Sequence, residues 1–317
     1  MSFERLLGNG QLKENLTGSL GKGHISHFYL ISGPEGSGKH TLASLLTAAI
    51  FCREADRPCT HCENCRKALS GTHPDVIMVD DPEKKTVPVD LIRQARSDVY
   101  VRPNQSDHKI YCIPRADCLG VPGQNALLKI LEEPPEYGVF LLLTSNPDKL
   151  LPTVRSRCTE LKLQALPEKL LRDTLRQQYP KAEEEAIRAA AMRCGGYLGQ
   201  AMKLLEQKDS LPPQTSEFVR CFSEGDGAGL AMLLAPMEKL KRDTLIPLLQ
   251  SWLELVIEAM ADRCGQSAVS PLAVRLSRGR TLQELNRAAQ TLRKVLEYAR
   301  GNVSPAAVCG YLCWQLQ

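Results

Sequence analysis

Aromatic side chains are scarce: Phe, Trp and Tyr make up 5% of the 317 residues. Such a core must be filled largely by Leu and Ala, which suits helical packing. No run of about 18 apolar residues is present, which predicts no membrane span. The N-terminal stretch MSFERLLGNGQLKENL has no basic start followed by an apolar run, so no signal peptide is expected; it reads as an amphipathic helix. Net charge is slight, at +4, which permits contact with nucleic acid without arguing for it. With 43% hydrophobic and 24% charged residues, the composition is that of an ordinary soluble globular protein, long enough for two or three domains.

Against these absences stands one dense stretch, residues 28–50. FYLIS predicts a strand, and the Ala/Leu-rich run after Lys39 predicts a helix. Between them lies Gly33-Pro34-Glu35-Gly36-Ser37-Gly38-Lys39-His40. Gly33, Gly36 and Gly38 permit backbone angles that turn successive N–H groups toward an anion, and the helix N-terminus adds its positive dipole end. Lys39 supplies a charge for the β- and γ-phosphates, and the G-x4-G-K spacing fits a phosphate loop. A phosphate loop then carries Ser or Thr to hold Mg²⁺, and here that position is His40.

Cysteines, by contrast, are plentiful, with 12 in all. Cys52, Cys59, Cys62 and Cys65 cluster in overlapping CxxC steps. Four thiolates at this spacing suit tetrahedral Zn²⁺ in a closed structural site; four free thiols in a loop are the plainer reading. The other eight lie in apolar or helical contexts and read as reduced, small hydrophobes.

Residues 75–80 predict a second strand, 89–99 a helix and 109–113 a third strand. In an NTPase the end of this strand carries Asp for Mg²⁺ and then Glu to activate water. The chain instead has Pro114-Arg115-Ala116-Asp117. Proline holds no metal, arginine is no base near neutral pH, and Asp117 comes too late to substitute simply. Residues 123–133 predict a helix stopped by Pro134-Pro135, and 139–144 a fourth strand. At its end Thr144, Ser145 and Asn146 place polar groups where ligands sit in parallel sheets, with Thr144 the candidate contact. The same residues equally suit a strand-end turn. With a fifth strand at 159–163, the alternation of strands and helices predicts a doubly wound parallel sheet of the α/β class.

The phosphate loop, the four-cysteine insert, NALLKILEEPP at residues 125–135 and TVRSRC at 153–158 together resemble the bacterial clamp-loader AAA+ subunits. The resemblance covers most of the first 205 residues, and Pro-Arg-Ala-Asp in place of the acidic motif is similar to the delta-prime branch of DNA polymerase III; the ATP-hydrolysing gamma/tau subunits keep the acids. It implies that Arg157, of Ser156-Arg157-Cys158, is an arginine finger acting in trans on a neighbour's ATP; Arg155 is the nearby alternative. Active members carry Gly-x-x-Arg-x-Ala in the lid, where this chain has Gly196-Tyr197-Leu198-Gly199-Gln200-Ala201. ATP or ADP binding is therefore expected to be weak or vestigial.

The expected organisation is an AAA+ P-loop domain over residues 1–166 with the zinc module at 52–65, a helical lid over 167–210 and a helical collar for oligomerisation over 211–317. An apolar stripe through Leu245, Leu248, Leu249, Trp252, Leu253 and Val256 is expected in the collar core. The basic residues 275–280 are expected in a solvated loop. The resemblance implies gamma/tau and delta subunits, the sliding clamp and primer–template DNA as partners, with no membrane. The competing expectations are an autonomous AAA+ ATPase acting on DNA and a zinc-dependent nucleic-acid binder.

Overall fold

The computed structural model describes residues 3–206, 212–265, 270–301 and 303–316. The chain divides into two compact units, residues 1–182 with 190–204, and residues 183–189 with 205–317.

The first unit is built on five strands, β1 (Phe28–Ser32), β2 (Val76–Met78), β3 (Lys109–Ile113), β4 (Gly138–Thr144) and β5 (Thr159–Lys162). Their order across the sheet is β2-β3-β4-β1-β5, and every pairing is parallel. Strands β1, β3 and β4 are buried along their whole length, which is why they read as unbroken apolar runs rather than alternating ones. Successive side chains go to opposite faces. Tyr29, Ile31, Leu141 and Leu143 pack with helices α1 (Gly10–Gly21), α2 (Lys39–Phe51) and α3 (Glu63–Ser70). Phe28, Leu30, Tyr111, Phe140 and Leu142 pack with α4 (Val89–Asp98), α5 (Val121–Glu132) and the short α6 (Pro152–Arg155). The rings of Phe28, Phe140 and Tyr111 stack across three neighbouring strands at 4.7 and 4.8 Å. A doubly wound α/β sheet is therefore the observed class.

Three local readings change. Residues 3–9 do not continue α1, because Gly8 and Asn9 take left-handed φ values of 58° and 53° that no helix can absorb. The cysteine segment is not all turn, since its last part is α3, with the Cys62 sulfur capping its N-terminus by accepting the Cys65 N–H. Asp75 precedes β2 rather than lying in it, and its fully buried carboxylate accepts the N–H groups of Asn104, Gln105 and Ser106 at 2.6–2.9 Å. Burial works against that charge, but these bonds outweigh it and lower the pKa to about 2.

Helices α7 (Glu168–Gln178) and α9 (Leu198–Glu206) belong to the first unit apart from the end of α9, and α8 (Glu184–Arg193) contributes residues to both units. The second unit is helical: α10 (Pro213–Glu224), α11 (Gly227–Met237), α12 (Arg242–Arg263), α13 (Pro271–Gly279), α14 (Leu282–Arg300) and α15 (Pro305–Leu316). The expected stripe on α12 is core, except that Leu253 is only partly buried against it; Trp252 is fully buried and stacks on Phe218 at 4.2 Å. By length and composition α12 is apolar enough to cross a membrane, but its buried face is the centre of this helical core. The basic residues 275–280 are not a solvated loop. They run along α13, with Arg275 paired to Glu224 and Arg280 donating to the Phe222 carbonyl at 2.6 Å over the Phe222 ring.

Candidate functional site

The turn after β1 is shaped as a phosphate loop. Gly36 and Gly38 have φ values of 75° and 94°, and Lys39 opens α2. A cavity of about 590 Å³ lies over it, lined by Glu35, Gly36, Ser37, Gly38, Lys39 and His40 from the loop. Arg5 to Leu7 line another side, as do Pro114, Arg115 and Asp117 after β3, Ser145 after β4, and Tyr197 to Gly199 with Met202 near α9. Gly33 and Pro34 shape the loop through their carbonyls and are not among these lining residues.

Those carbonyls are the acceptors for Lys39. Its Nζ donates to Gly33 O at 2.6 Å, to Pro34 O at 2.9 Å and to Ser145 Oγ at 3.2 Å. An ammonium has three donors, so Lys39 is satisfied by the protein alone. Its side chain is buried, and burial lowers its pKa, while the Asp117 and Glu35 carboxylates work the other way. The anion that a phosphate would supply is thus partly replaced by the chain's own oxygens. His40 adds no hydroxyl, and desolvation, with the Lys39 charge beside it, lowers its pKa and keeps the ring neutral at pH 7.

The residues that replace the acidic pair have other work. Arg115 grips both carboxylate oxygens of Asp80, with Nη2 at 2.7 Å and Nε at 3.0 Å, and donates to the carbonyls of Asp81 and Lys84. It ties the end of β3 to the segment after β2. Asp117, on a single 3-10 turn, reaches the cavity that Pro114 and Arg115 cannot serve with a carboxylate. Spacing along the chain hid it, because the turn at residues 116–118 brings it back. Thr144 does not line the cavity; it is buried and its hydroxyl accepts the Asn146 N–H at 3.1 Å, a strand-end turn, while Ser145 faces Lys39.

Beside the loop, Gly199 donates its N–H to Gly36 O at 3.0 Å, and a Cβ on Gly199 would lie 2.6 Å from Gly36 Cα. Gln200 Nε2 donates to Glu35 O at 3.0 Å, and Lys203 pairs with the Glu35 carboxylate, lowering its pKa. Gly199, which stands where the resemblance implies an arginine in active members, is therefore in backbone contact with the loop, and no side chain fits there.

Arg157 lies elsewhere in the first unit. It is 41% exposed, does not line the cavity, and donates from Nη1 to Thr153 O at 3.0 Å with Nη2 at 3.6 Å from Glu132 Oε1. Arg155 is committed to Asp148 at 2.8 Å.

Cys52, Cys59, Cys62 and Cys65 come together, with all four sulfurs within 4.8 Å of one another. A tetrahedral metal with bonds near ~2.3 Å sets its sulfurs ~3.8 Å apart. Cys59 and Cys65 are 3.8 Å apart already, and none of the four forms a disulfide. Backbone N–H groups point at the sulfurs, Cys62 N to Cys59 Sγ at 3.3 Å and Cys59 N to Cys52 Sγ at 3.5 Å. Desolvation opposes the Cys59 thiolate, but hydrogen bonds from the Cys62 and His61 backbone bring its pKa down to about 6. These four residues could hold a metal ion.

Residues 8–167 match the family described as DNA polymerase III, delta subunit. The chain belongs to the clamp-loader AAA+ family of DNA polymerase III. The tau subunit of DNA polymerase III from Bacillus subtilis is 32% identical over 211 residues, 65% of this chain and 37% of that protein. The tau subunit from Escherichia coli is 34% identical over 212 residues, 65% of this chain and 33% of that protein. The chain thus spans about a third of the length of these relatives. A crystal structure of a DNA polymerase III gamma subunit-related protein from Thermotoga maritima aligns with a TM-score of 0.48 and 19% identity, covering 96% of this chain and 98% of that one.

Proposed function

We propose that this clamp-loader family member is a delta-prime-type subunit. It stands in a ring with gamma/tau and delta subunits, hydrolyses little or no ATP itself, and presents Arg157 to the nucleotide of a neighbour. The ring would open the sliding clamp and place it on primer–template DNA in the cytoplasm. The observation that carries this reading is the contrast between Lys39 and Arg157. Lys39 is buried and has three acceptors within the protein; Arg157 is 41% exposed and lies off the chain's own cavity. A guanidinium so placed can fork to phosphate oxygens of another subunit and stabilise charge on the transferring phosphoryl group.

Two further assignments belong to this reading. Cys52, Cys59, Cys62 and Cys65 would hold a structural Zn²⁺ that fastens α3 to the end of α2. The second unit would act as the oligomerising collar, supported by exposed Met232 and Trp314 on α11 and α15. The test is reconstitution with gamma/tau and delta subunits, followed by clamp loading with and without this chain. Loading that needs the chain, with no turnover by the chain alone, is expected.

A second reading, an ATP-turning subunit of the same family, is favoured by the intact Gly33–Lys39 loop and by relatives that are named tau. It requires turnover by the isolated chain that Lys39→Ala abolishes. Glu35 and Asp117 are the carboxylates lining the cavity among the described residues, and with Glu35 paired to Lys203, Asp117 is the one that could serve it.

A further inference from the structure

The stretch NALLKILEEPP contributes more than the buried face of α5. Its Glu132 ends that helix, held in place by buried Ile130 and Leu131 just before it. The Glu132 carboxylate is 3.6 Å from Arg157 Nη2. This is longer than a hydrogen bond, so the contact is one of charge. The directional contact on Arg157 is a different one, Nη1 to Thr153 O at 3.0 Å. The neighbouring Arg155 shows the contrast, because its 2.8 Å contact with Asp148 is both an ion pair and a hydrogen bond. Arg157 is therefore aimed by a carbonyl and balanced by a carboxylate, and both members of the charge pair are well exposed, at 41% and 59%.

An exposed, single-contact pair of this kind is readily exchanged. A phosphate offers the guanidinium two oxygens in its own plane and more charge than one carboxylate, so it wins the exchange once it is brought near. The C-terminal end of α5 adds its partial negative charge to that of Glu132, which keeps the cation at this place until then.

We propose that Glu132 is the counter-charge that holds Arg157 in reserve. Its carboxylate stands in for the phosphate of a neighbouring subunit's nucleotide and releases the guanidinium when that phosphate arrives. This rests on the reading of Arg157 as a finger acting in trans. No bond is made or broken in the exchange.

The experiment uses the assembled complex with gamma/tau and delta subunits, measuring equilibrium ATP affinity together with KM and kcat of the ATPase. Glu132→Gln removes the competing charge and keeps the shape. It is expected to tighten ATP binding and lower KM about two- to fivefold, the scale of one exposed ion pair, with kcat unchanged. The gain should shrink as salt is raised, because the pair is screened. Glu132→Asp should behave as wild type. In an Arg157→Ala background Glu132→Gln should change nothing. An unchanged KM, a fall in kcat alone, or the same shift in the Arg157→Ala background overturns the role of Glu132. Arg157→Ala with undiminished turnover instead overturns the finger itself, so the two failures are distinct.

Discussion

Gly199 hands its backbone N–H to the carbonyl of Gly36 across 3.0 Å, and neither residue has room for a Cβ. A lid residue that reads as a lost arginine is thus also a packing requirement. The loop and the start of α9 are joined by main chain. Gly199→Ala must force the two backbones apart, at roughly 1–3 kcal/mol by the cost of overpacking. A lower urea midpoint for the first unit is expected, and an unchanged midpoint would contradict the contact.

Lys39 has become part of the fold. Lys39→Met leaves two carbonyls and a hydroxyl without their donor, which costs about 1–3 kcal/mol in a buried setting. It should therefore lower stability in the absence of any nucleotide, as read by thermal unfolding. Asp117→Asn removes a charge that stabilises Lys39⁺, and with it a competitor for anions. Pyrophosphate affinity of the isolated chain should rise roughly two- to fivefold, on the scale of one screened pair. A Lys39→Met protein as stable as wild type would show that the three hydrogen bonds contribute nothing net.

The four-cysteine site predicts about one Zn²⁺ per chain, by the ligand count of a closed tetrahedral site. Metal analysis of protein purified without chelator checks this directly. Strong chelation, or Cys65→Ser, should lower the melting temperature. Metal-free protein that melts at the same temperature as protein loaded with zinc would refute it.

Asp75 predicts an acid-sensitive first unit. Folding lowers its pKa to about 2, so the unfolded chain takes up the proton first as pH falls. The stabilisation is complete above about pH 4, the ordinary Asp value, and is lost as pH drops through about 2. It amounts to roughly 2–3 kcal/mol. The stability gap between wild type and Asp75→Asn should be widest at pH 5 and narrow toward pH 2. A gap constant over that range would mean that the charge of Asp75 is not what matters.

Much of the sheet was legible because β1, β3 and β4 are buried on both faces and so carry unbroken apolar runs. The loop glycines and Lys39 were legible for the same local reason, as they lie within one turn. What could not be read lies across the chain. Asp117 enters the cavity only because a 3-10 turn follows β3, and Ser145 takes the place expected of Thr144 because the Thr144 hydroxyl is turned onto the Asn146 N–H at the strand end. Gly199 looked like a missing charge, and its role needs Gly36, 163 residues away, to be seen. Glu132 and Arg157 sit in separate motifs with nothing in either to show that they meet.

The most direct test of the account is the ATPase rate of the complex reassembled with Arg157→Ala. The substitution leaves the core untouched, since the side chain is on the surface. Normal assembly with a clearly reduced rate is predicted. Normal assembly with an undiminished rate would contradict the claim that this chain acts through Arg157 on a neighbour.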